Sequence, residues 1–273
     1  MRESRAKLSL AEKTGMSAGI GALLFSCADP LLAAVPLVLF VMLCACAPFL
    51  PGFSFFLPVI TRGISGKKAV SLTFDDGPDP LSTPALLRVL SRHRCRATFF
   101  VCGKKAEAYP ELIREIIEMG HSVGNHTYSH DNLIMLRSIR SLRHEIEKTS
   151  HILNGFGIRA HAFRPPVGIT NPRLREVLGE NKLYAVNFSC RAPDGGNRWI
   201  KGMAARILGK IRADDILLLH DIPPKPEENL SQWLGETDRL LQGIKEKGFS
   251  VLPLSELIQK PVMEICEEKA ECP

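Results

Sequence analysis

Residues 215–221 read Asp-Ile-Leu-Leu-Leu-His-Asp, an unbroken apolar run that passes straight into a histidine and a carboxylate. A run this short and this uniformly apolar fits a strand buried on both faces, as in a parallel sheet covered by helices. Outward from it, short β-branched or aromatic runs recur at 69–74, 97–101, 122–124, 161–163, 184–188 and 249–253. Segments of helical pattern lie between them at 83–91, 110–119, 133–153, 172–178, 200–212 and 230–247. Pro110 and Pro172 sit where a first helical turn tolerates proline. Gly120, Gly155 and Gly248 follow helices as terminating glycines do. The alternation predicts an α/β fold in which seven strands and their helices form a distorted (β/α)7 barrel. An open doubly wound sheet is the structural alternative.

The rest of the chain is organised unevenly. Hydrophobic residues make up 45% and charged residues 23% of its 273 positions, which excludes a disordered tail or a fibrous repeat. No charged residue occurs between Asp29 and Arg62, and residues 31–50 read LLAAVPLVLFVMLCACAPFL. That stretch has the length and polarity of a helix that crosses the hydrocarbon core of a membrane. A buried core helix rarely runs so far without a polar face, and a cleaved signal peptide has a shorter apolar core that starts earlier. Residues 14–28 form a second uncharged stretch, shorter and rich in Gly and Ser, so Asp29-Pro30 fits the turn of a helical hairpin. Lys and Arg flank both ends (Arg2, Arg5, Lys7 and Lys13 before; Arg62, Lys67 and Lys68 after), as in a hairpin with both ends cytoplasmic. A single span would place the remainder outside. The expected organisation is a basic and membrane-embedded segment at 1–66, a catalytic domain at 67–260 and a polar tail at 261–273. The net charge of +6 is too dilute to suggest nucleic acid as a partner. Beyond the apolar region lie Cys95, Cys102, Cys190, Cys266 and Cys272, an odd number with no CxxC spacing. They read as free thiols, with a local Cys266–Cys272 pair as the alternative.

Polar residues gather just after the strands, where parallel α/β folds place active sites. The first strand ends in Thr73-Phe74-Asp75-Asp76-Gly77-Pro78. Two adjacent carboxylates at the end of a buried strand repel each other, and a divalent cation would offset that; an Asp-Gly turn with two solvated acids is the plainer reading. His126-Thr127-Tyr128-Ser129-His130 follows the third strand. Histidines four apart converge on one ion if the segment is helical or tightly coiled. With Asp76 they make a two-histidine, one-carboxylate set with open positions, which leaves Asp75 free to act as a base. Arg164 lies in Phe163-Arg164-Pro165-Pro166-Val167-Gly168, either on a surface turn or buried against a partner, since an unpaired buried charge is costly. His220 ends the sixth strand as a structural histidine or a general acid.

TFDDGP, HTYSH, FRPPVG and LLLHD, in this order and spacing, resemble the polysaccharide deacetylases of carbohydrate esterase family four, which include chitin and peptidoglycan N-acetylglucosamine deacetylases. The resemblance covers about residues 67–256. It implies a distorted (β/α) barrel, one divalent metal ion, commonly zinc, and an extracytoplasmic domain. Asp75 matches the general base of that family; Asp76, His126 and His130 match its metal ligands. Arg164 matches the arginine that holds the base, His220 the general acid, and Leu218 the wall of the acetyl pocket. Two departures stand out. Val167 replaces the usual Tyr, whose backbone N–H is an oxyanion donor and whose side-chain contact is lost here. The usual Asp-Trp pair has only Asp194 as its counterpart, placed to orient His220; Trp199 is nearby but is not equated with the missing Trp.

The function expected from this is metal-dependent hydrolysis of an N-acetyl group on an amino sugar within a glycan. A second enzyme reading keeps the chemistry and moves it to a lipid-linked amino sugar, deacetylated or deformylated at the membrane. A reading of another class is a non-catalytic, membrane-tethered glycan-binding domain. The presence of all the key polar residues argues against that one.

Overall fold

In the computed structural model, residues 8–50 and 52–266 are described. The chain opens with two helices, α1 (Leu10–Ser26) and α2 (Pro30–Cys46), the second running on into a 3-10 turn at Ala47–Phe49. Ser9 starts α1 with a reciprocal cap: Glu12 N–H donates to its hydroxyl, and the Glu12 carboxylate accepts from Ser9 N–H. Asp29 caps α2 through Leu31 N–H at 2.8 Å, with Pro30 in the first turn. The two helices therefore form a hairpin turning at Cys27–Asp29, with Phe40 packed over Gly15 where no Cβ intervenes. Pro30–Phe49 is the one helix among the described residues long and apolar enough to cross a membrane, and only 6% of it is buried. The open end of the hairpin is tied to the rest of the molecule. Ala11 N–H donates to Phe55 O, Arg175 pairs with Glu12 at 3.1 Å, and Ala47, Phe55, Phe56 and Leu57 are buried in the main core.

The strands that follow are β1 (Val59–Ile60), β2 (Ala69–Asp75), β3 (Ala97–Val101), β4 (Ser122–Asn125), β5 (Ile158–Ala160), β6 (Ala162–Phe163), β7 (Tyr184–Val186), β8 (Cys190–Arg191), β9 (Asp215–His220), β10 (Ser250–Val251) and β11 (Met263–Ile265). The interleaved helices are α3 (Ser82–Arg92), α4 (Gly103–Ala108), α5 (Pro110–Glu118), α6 (Ile139–Gly155), α7 (Pro172–Glu180), α8 (Met203–Leu208), α9 (Leu230–Glu246) and α10 (Leu254–Ile258). The main sheet is parallel throughout, in the order β1-β7-β6-β4-β3-β2-β9-β8, with β10 also on β2. Among the described residues no ladder joins β8 back to β7 or β1. The result is a curled, incompletely closed barrel, the distorted form expected from the sequence. A separate antiparallel pair joins β11 to β5. Strands β1 and β11 both lie outside the 67–260 span.

The period of two along a strand sorts the residues that matter. Val70, Leu72 and Phe74 of β2 and Leu217 and Leu219 of β9 belong to the large core between sheet and helices. Ala69, Ile216 and Leu218 belong to a second cluster inside the barrel, floored by Leu254, Leu257 and Ile258 of α10. Thr73 and Asp75 share the inward parity of Ala69, and His220 that of Leu218. The register sets Thr73 beside Leu218 and Asp75 beside His220. Two adjacent parallel strands thus deliver a carboxylate and an imidazole, side by side, to the carboxyl end of the barrel.

Several sequence expectations shift locally. The strand expected at 161–163 breaks at His161, because His161 and Ala162 N–H both donate to Val262 O; β5 is left to β11 and β6 to the main sheet. The helix expected at 133–153 starts only at Ile139, capped by Ser138, after a 3-10 turn at Ile134–Leu136. It runs through Gly155, and Gly157 carries the left-handed φ of 74° instead. The helix expected at 200–212 shrinks to α8 between Gly202 and Gly209. Cys266 is disulfide-bonded, which corrects its reading as a free thiol; Cys272 lies outside the described residues.

Gly124 of β4 shows how tightly the barrel interior is filled. A Cβ there would lie 2.6 Å from the Phe100 ring and 3.2 Å from Ala162 O, and overpacking of this kind costs about 1–3 kcal/mol. Gly124→Ala is therefore expected to lower the unfolding free energy by that amount, read as a drop in the urea or thermal midpoint. An unchanged midpoint would show that Phe100 moves aside freely.

Candidate active site

A cleft of about 530 Å³ opens at the carboxyl ends of the strands, and Asp75, Asp76, His126, His130, Val167, Asp194, Leu218 and His220 all line it. Apart from Leu218, which lies within β9, each of these arrives at the end of an element or in the turn that follows it. Asp75 ends β2; Asp76 follows with a left-handed φ of 73°. Beyond it, a Cβ on Gly77 would collide with the Asp221 carboxylate, so this position needs glycine. Asp221, fully buried, accepts from Ser82 Oγ at 2.7 Å and Thr83 Oγ1 at 2.6 Å, while its N–H donates to Asp75 O. Burial pushes its carboxyl up to about 6. Asp221 thereby fastens the Asp75-Asp76 turn to α3.

His126 and His130 are brought together by a tight coil and not by a helix. Thr127 and His130 both have left-handed φ, 65° and 54°, the first of these unusual for a β-branched residue. The strain, on the order of 1–3 kcal/mol per residue, is held by surrounding bonds. Thr127 N–H donates to Asn125 Oδ1, and the Glu145 carboxylate of α6 accepts from Tyr128 N–H, Ser129 N–H and Ser129 Oγ. Glu145 has no local sequence signature, since it lies far along the chain in another element.

Asp76 Oδ1 lies 2.9 Å from His130 Nε2 and 3.3 Å from His126 Nε2, and one ligand atom from each of the three residues lies within 4.8 Å of the others. His126 Nδ1 sits 2.7 Å from the Arg164 carbonyl, which only accepts, so Nδ1 carries the proton. In the neutral ring Nε2 then presents a lone pair toward Asp76 Oδ1 and, at 3.8 Å, Asp75 Oδ2. Lone pairs converging in this way call for a cation between them, and a carbonyl fixing the far nitrogen is the usual support of a metal-binding histidine. The donor set fits a divalent ion. With protons on the two Nε2 atoms in place of a cation, burial by itself would raise the Asp76 carboxyl, but the hydrogen bonds from those nitrogens outweigh it and hold the group well below the usual carboxylate range.

Arg164 is fully buried. Its NH1 donates to Asp75 Oδ1 and Thr73 Oγ1, both at 2.7 Å, its Nε to Val186 O and its NH2 to Asn187 O. The guanidinium lies 4.0 Å from the Phe100 ring centroid. One carboxylate oxygen of Asp75 is thus fixed and the other left toward the cleft. The surface-turn reading of Arg164 does not hold. Val167, half exposed, adopts φ 51° in the following turn, which Asn187 Nδ2 fastens through Gly168 O at 3.1 Å.

His220 Nδ1 is 3.0 Å from Asp194 Oδ2, leaving Nε2 for the cleft. Burial would lower this imidazole, but the Asp194 bond and charge, helped by Asp76 and Asp75, outweigh that and push it up to about 9. Leu218 forms apolar wall beside it. Trp199, set apart in the sequence, also reaches the cleft, as do Arg191 and Arg198.

A family model described as polysaccharide deacetylase matches residues 62–186. A chitooligosaccharide deacetylase of Bradyrhizobium sp. is 33% identical over 203 residues, covering 71% of this chain and 92% of that protein. A peptidoglycan-N-acetylglucosamine deacetylase of Bacillus cereus is 34% identical, covering 72% of this chain and 70% of that protein. Among solved structures, a peptidoglycan N-acetylglucosamine deacetylase superposes with a TM-score of 0.68 at 30% identity, over 75% of this chain and 94% of that one. A family 4 carbohydrate esterase from Streptomyces lividans, in complex with acetate, gives 0.62 at 29% identity, over 73% and 98%.

The His220–Asp194 pair has a defined pH signature. A histidine raised above its ordinary 6.5 contributes stability that is fully present below that pH and lost as pH rises through about 9. NMR titration is expected to place His220 near 9 in the intact protein and to move it down toward 6.5 in Asp194→Asn. A His220 that titrates identically in both proteins would show that Asp194 does not control it.

Proposed function

This chain belongs to the polysaccharide deacetylase family, and on that premise we propose that it is a metal-dependent amide hydrolase that removes the N-acetyl group of an amino sugar. The observation that carries the reading is the convergence of Asp76, His126 and His130 beside an Arg164-held carboxylate and an Asp194-held imidazole. Asp76, His126 and His130 would hold a divalent ion, zinc being the natural choice for two imidazoles and one carboxylate, and that ion would supply Lewis-acid polarisation of the acyl carbonyl and acidify a water.

The chain's own groups do the rest. Asp75 takes the proton of the attacking water at Oδ2, because Arg164 occupies Oδ1. The water oxygen bonds to the carbonyl carbon, and the charge that gathers on the carbonyl oxygen faces the Val167 N–H. His220 gives its Nε2 proton to the departing nitrogen as the carbon–nitrogen bond breaks, releasing acetate and the free amine. An amine leaves poorly without that proton, and the raised pKa of His220 keeps the proton available at neutral pH. Leu218 and the floor around it receive the acetyl methyl.

The α1–α2 hairpin serves as the membrane anchor, its apolar surface exposed on nearly every side. Residues 1–66 carry the anchor and 67–260 the catalytic machinery, to which β1 and β11 on either side add pairing with β7 and β5. A catalytic domain tethered in this way favours a lipid-linked amino sugar as the second substrate reading beside a glycan chain. The non-catalytic binding reading loses ground, since every group the reaction needs is present and aimed into one cleft.

Asp75→Asn and His220→Ala are each expected to lower turnover of an N-acetyl amino sugar by roughly 10²-fold or more, the size of a general acid–base contribution. Metal content, measured on the purified protein, should stay near that of the parent in both and fall in His126→Ala together with activity. Metal retention in His126→Ala would overturn the ligand assignment. Fractionation of cells that express the full chain should find it with membranes; a freely soluble full chain would remove the anchor from the account.

A further inference from the structure

Trp199 is 66% exposed, although the other tryptophan, Trp233, is fully buried. A large aromatic left in solvent invites explanation, and its surroundings show that it is placed there deliberately. Gly195, Gly196 and Asn197 are consecutive left-handed residues, with φ of 60°, 66° and 62°. The loop they form is fastened to the catalytic strand by Asn197 Nδ2, which donates to His220 O and Ile222 O. Trp199 N–H donates to Asp194 O, and Arg206 NH2 donates to Trp199 O at 2.7 Å. The ring packs over Gly195, where a Cβ would lie 3.2 Å from it. One face of the indole is thereby buttressed and the rest is turned to the cleft.

Arg191 and Arg198 line the same wall. Arg191 is stacked 5.2 Å from the Phe188 centroid, and among the described residues neither arginine forms an ion pair. The carboxylates of the cleft are all engaged elsewhere: Asp75 with Arg164, Asp76 with the two histidines, Asp194 with His220. The wall therefore offers an aromatic face together with two guanidinium groups that, among the described residues, no carboxylate neutralises. An indole face attracts the polarised C–H bonds of a sugar ring, and guanidinium groups pair with carboxylate or phosphate oxygens.

We propose that Trp199, Arg191 and Arg198 form a subsite for an N-acetyl amino sugar that carries a negative charge, the indole stacking on the ring and the arginines taking a carboxylate or phosphate. The proposal rests on the deacetylase reading for its chemistry, but its recognition elements are separate from the groups that act on the amide. The loop that carries Trp199 is the one that holds Asp194 against His220, so a sugar seated on the indole lies beside the proton donor.

The test uses the full chain in detergent with its metal bound. Three probes differ in charge: an N-acetylglucosamine oligomer, N-acetylmuramic acid with its carboxylate, and N-acetylglucosamine 1-phosphate. Because Trp233 is buried, binding is expected to change the emission of Trp199, and Trp199→Phe should abolish that response. The charged probes should show kcat/KM roughly tenfold or more above the neutral one. Which charged probe wins distinguishes a carboxylate from a phosphate partner. The paired change Arg191→Gln and Arg198→Gln should erase the preference, mainly by raising KM for the charged probes until their kcat/KM matches that of the neutral oligomer. Trp199→Ala should raise KM for all three with little change in kcat. Equal turnover of neutral and charged probes by the parent protein, or emission unmoved at saturating sugar, would overturn the subsite. Charge-dependent binding without amine release from any probe would support the subsite and overturn the deacetylase reading.

Discussion

A guanidinium group with no access to water organises this active site. Arg164 touches β2 through Asp75 and Thr73 and β7 through Val186 and Asn187, and its own carbonyl fixes His126 just beyond β4. Removing a buried charge's partner strands it at a cost of several kcal/mol, whereas an apolar replacement of the whole pair is often neutral for stability. Such a group contributes little to folding that packing could not supply. What it provides is geometry: one oxygen of Asp75 is immobilised, and the imidazole that faces Asp76 has its tautomer set by the same residue.

The neighbouring turns show the same preference for placement over comfort. Asp76, Thr127, His130 and Val167 are all non-glycine residues in left-handed conformations, and all line or flank one cleft. Their turns are held by bonds from outside them, from Asp221 after β9, Glu145 of α6, Asn125 of β4 and Asn187 after β7. Local strain held by distant supports is the pattern of a preorganised site. The supports pack behind the working groups and touch nothing in the cleft themselves.

How far the sequence discloses this depends on range. The apolar run 216–219 and the place of Asp75 at the end of the first long strand are local properties, and both read correctly into a parallel barrel. The HxxxH spacing suggests convergence, but the coil that achieves it depends on Glu145, which no local pattern singles out. Strands β1 and β8, two residues each, are too short to carry a period. His161 looks like the start of one strand and is a bend, because the Val262 carbonyl that captures its N–H lies about a hundred positions away. Trp199 stands in a Gly-Gly-Asn turn whose left-handed run is invisible without the fold, so its arrival in the cleft could not be anticipated.

The order of the strands also dictates when the site comes into being. The hairpin of α1 and α2 closes through near neighbours, so it forms as soon as its residues leave the ribosome. The partner of β2 does not: Thr73 Oγ1 donates to Leu217 O across a separation of 144 positions. During most of synthesis, therefore, the strand that ends in Asp75 has one flank open and no imidazole beside it. The helix hairpin is complete long before the chain is capable of chemistry, and any truncation short of β9 leaves an inert protein with an unpaired central strand exposed to aggregation.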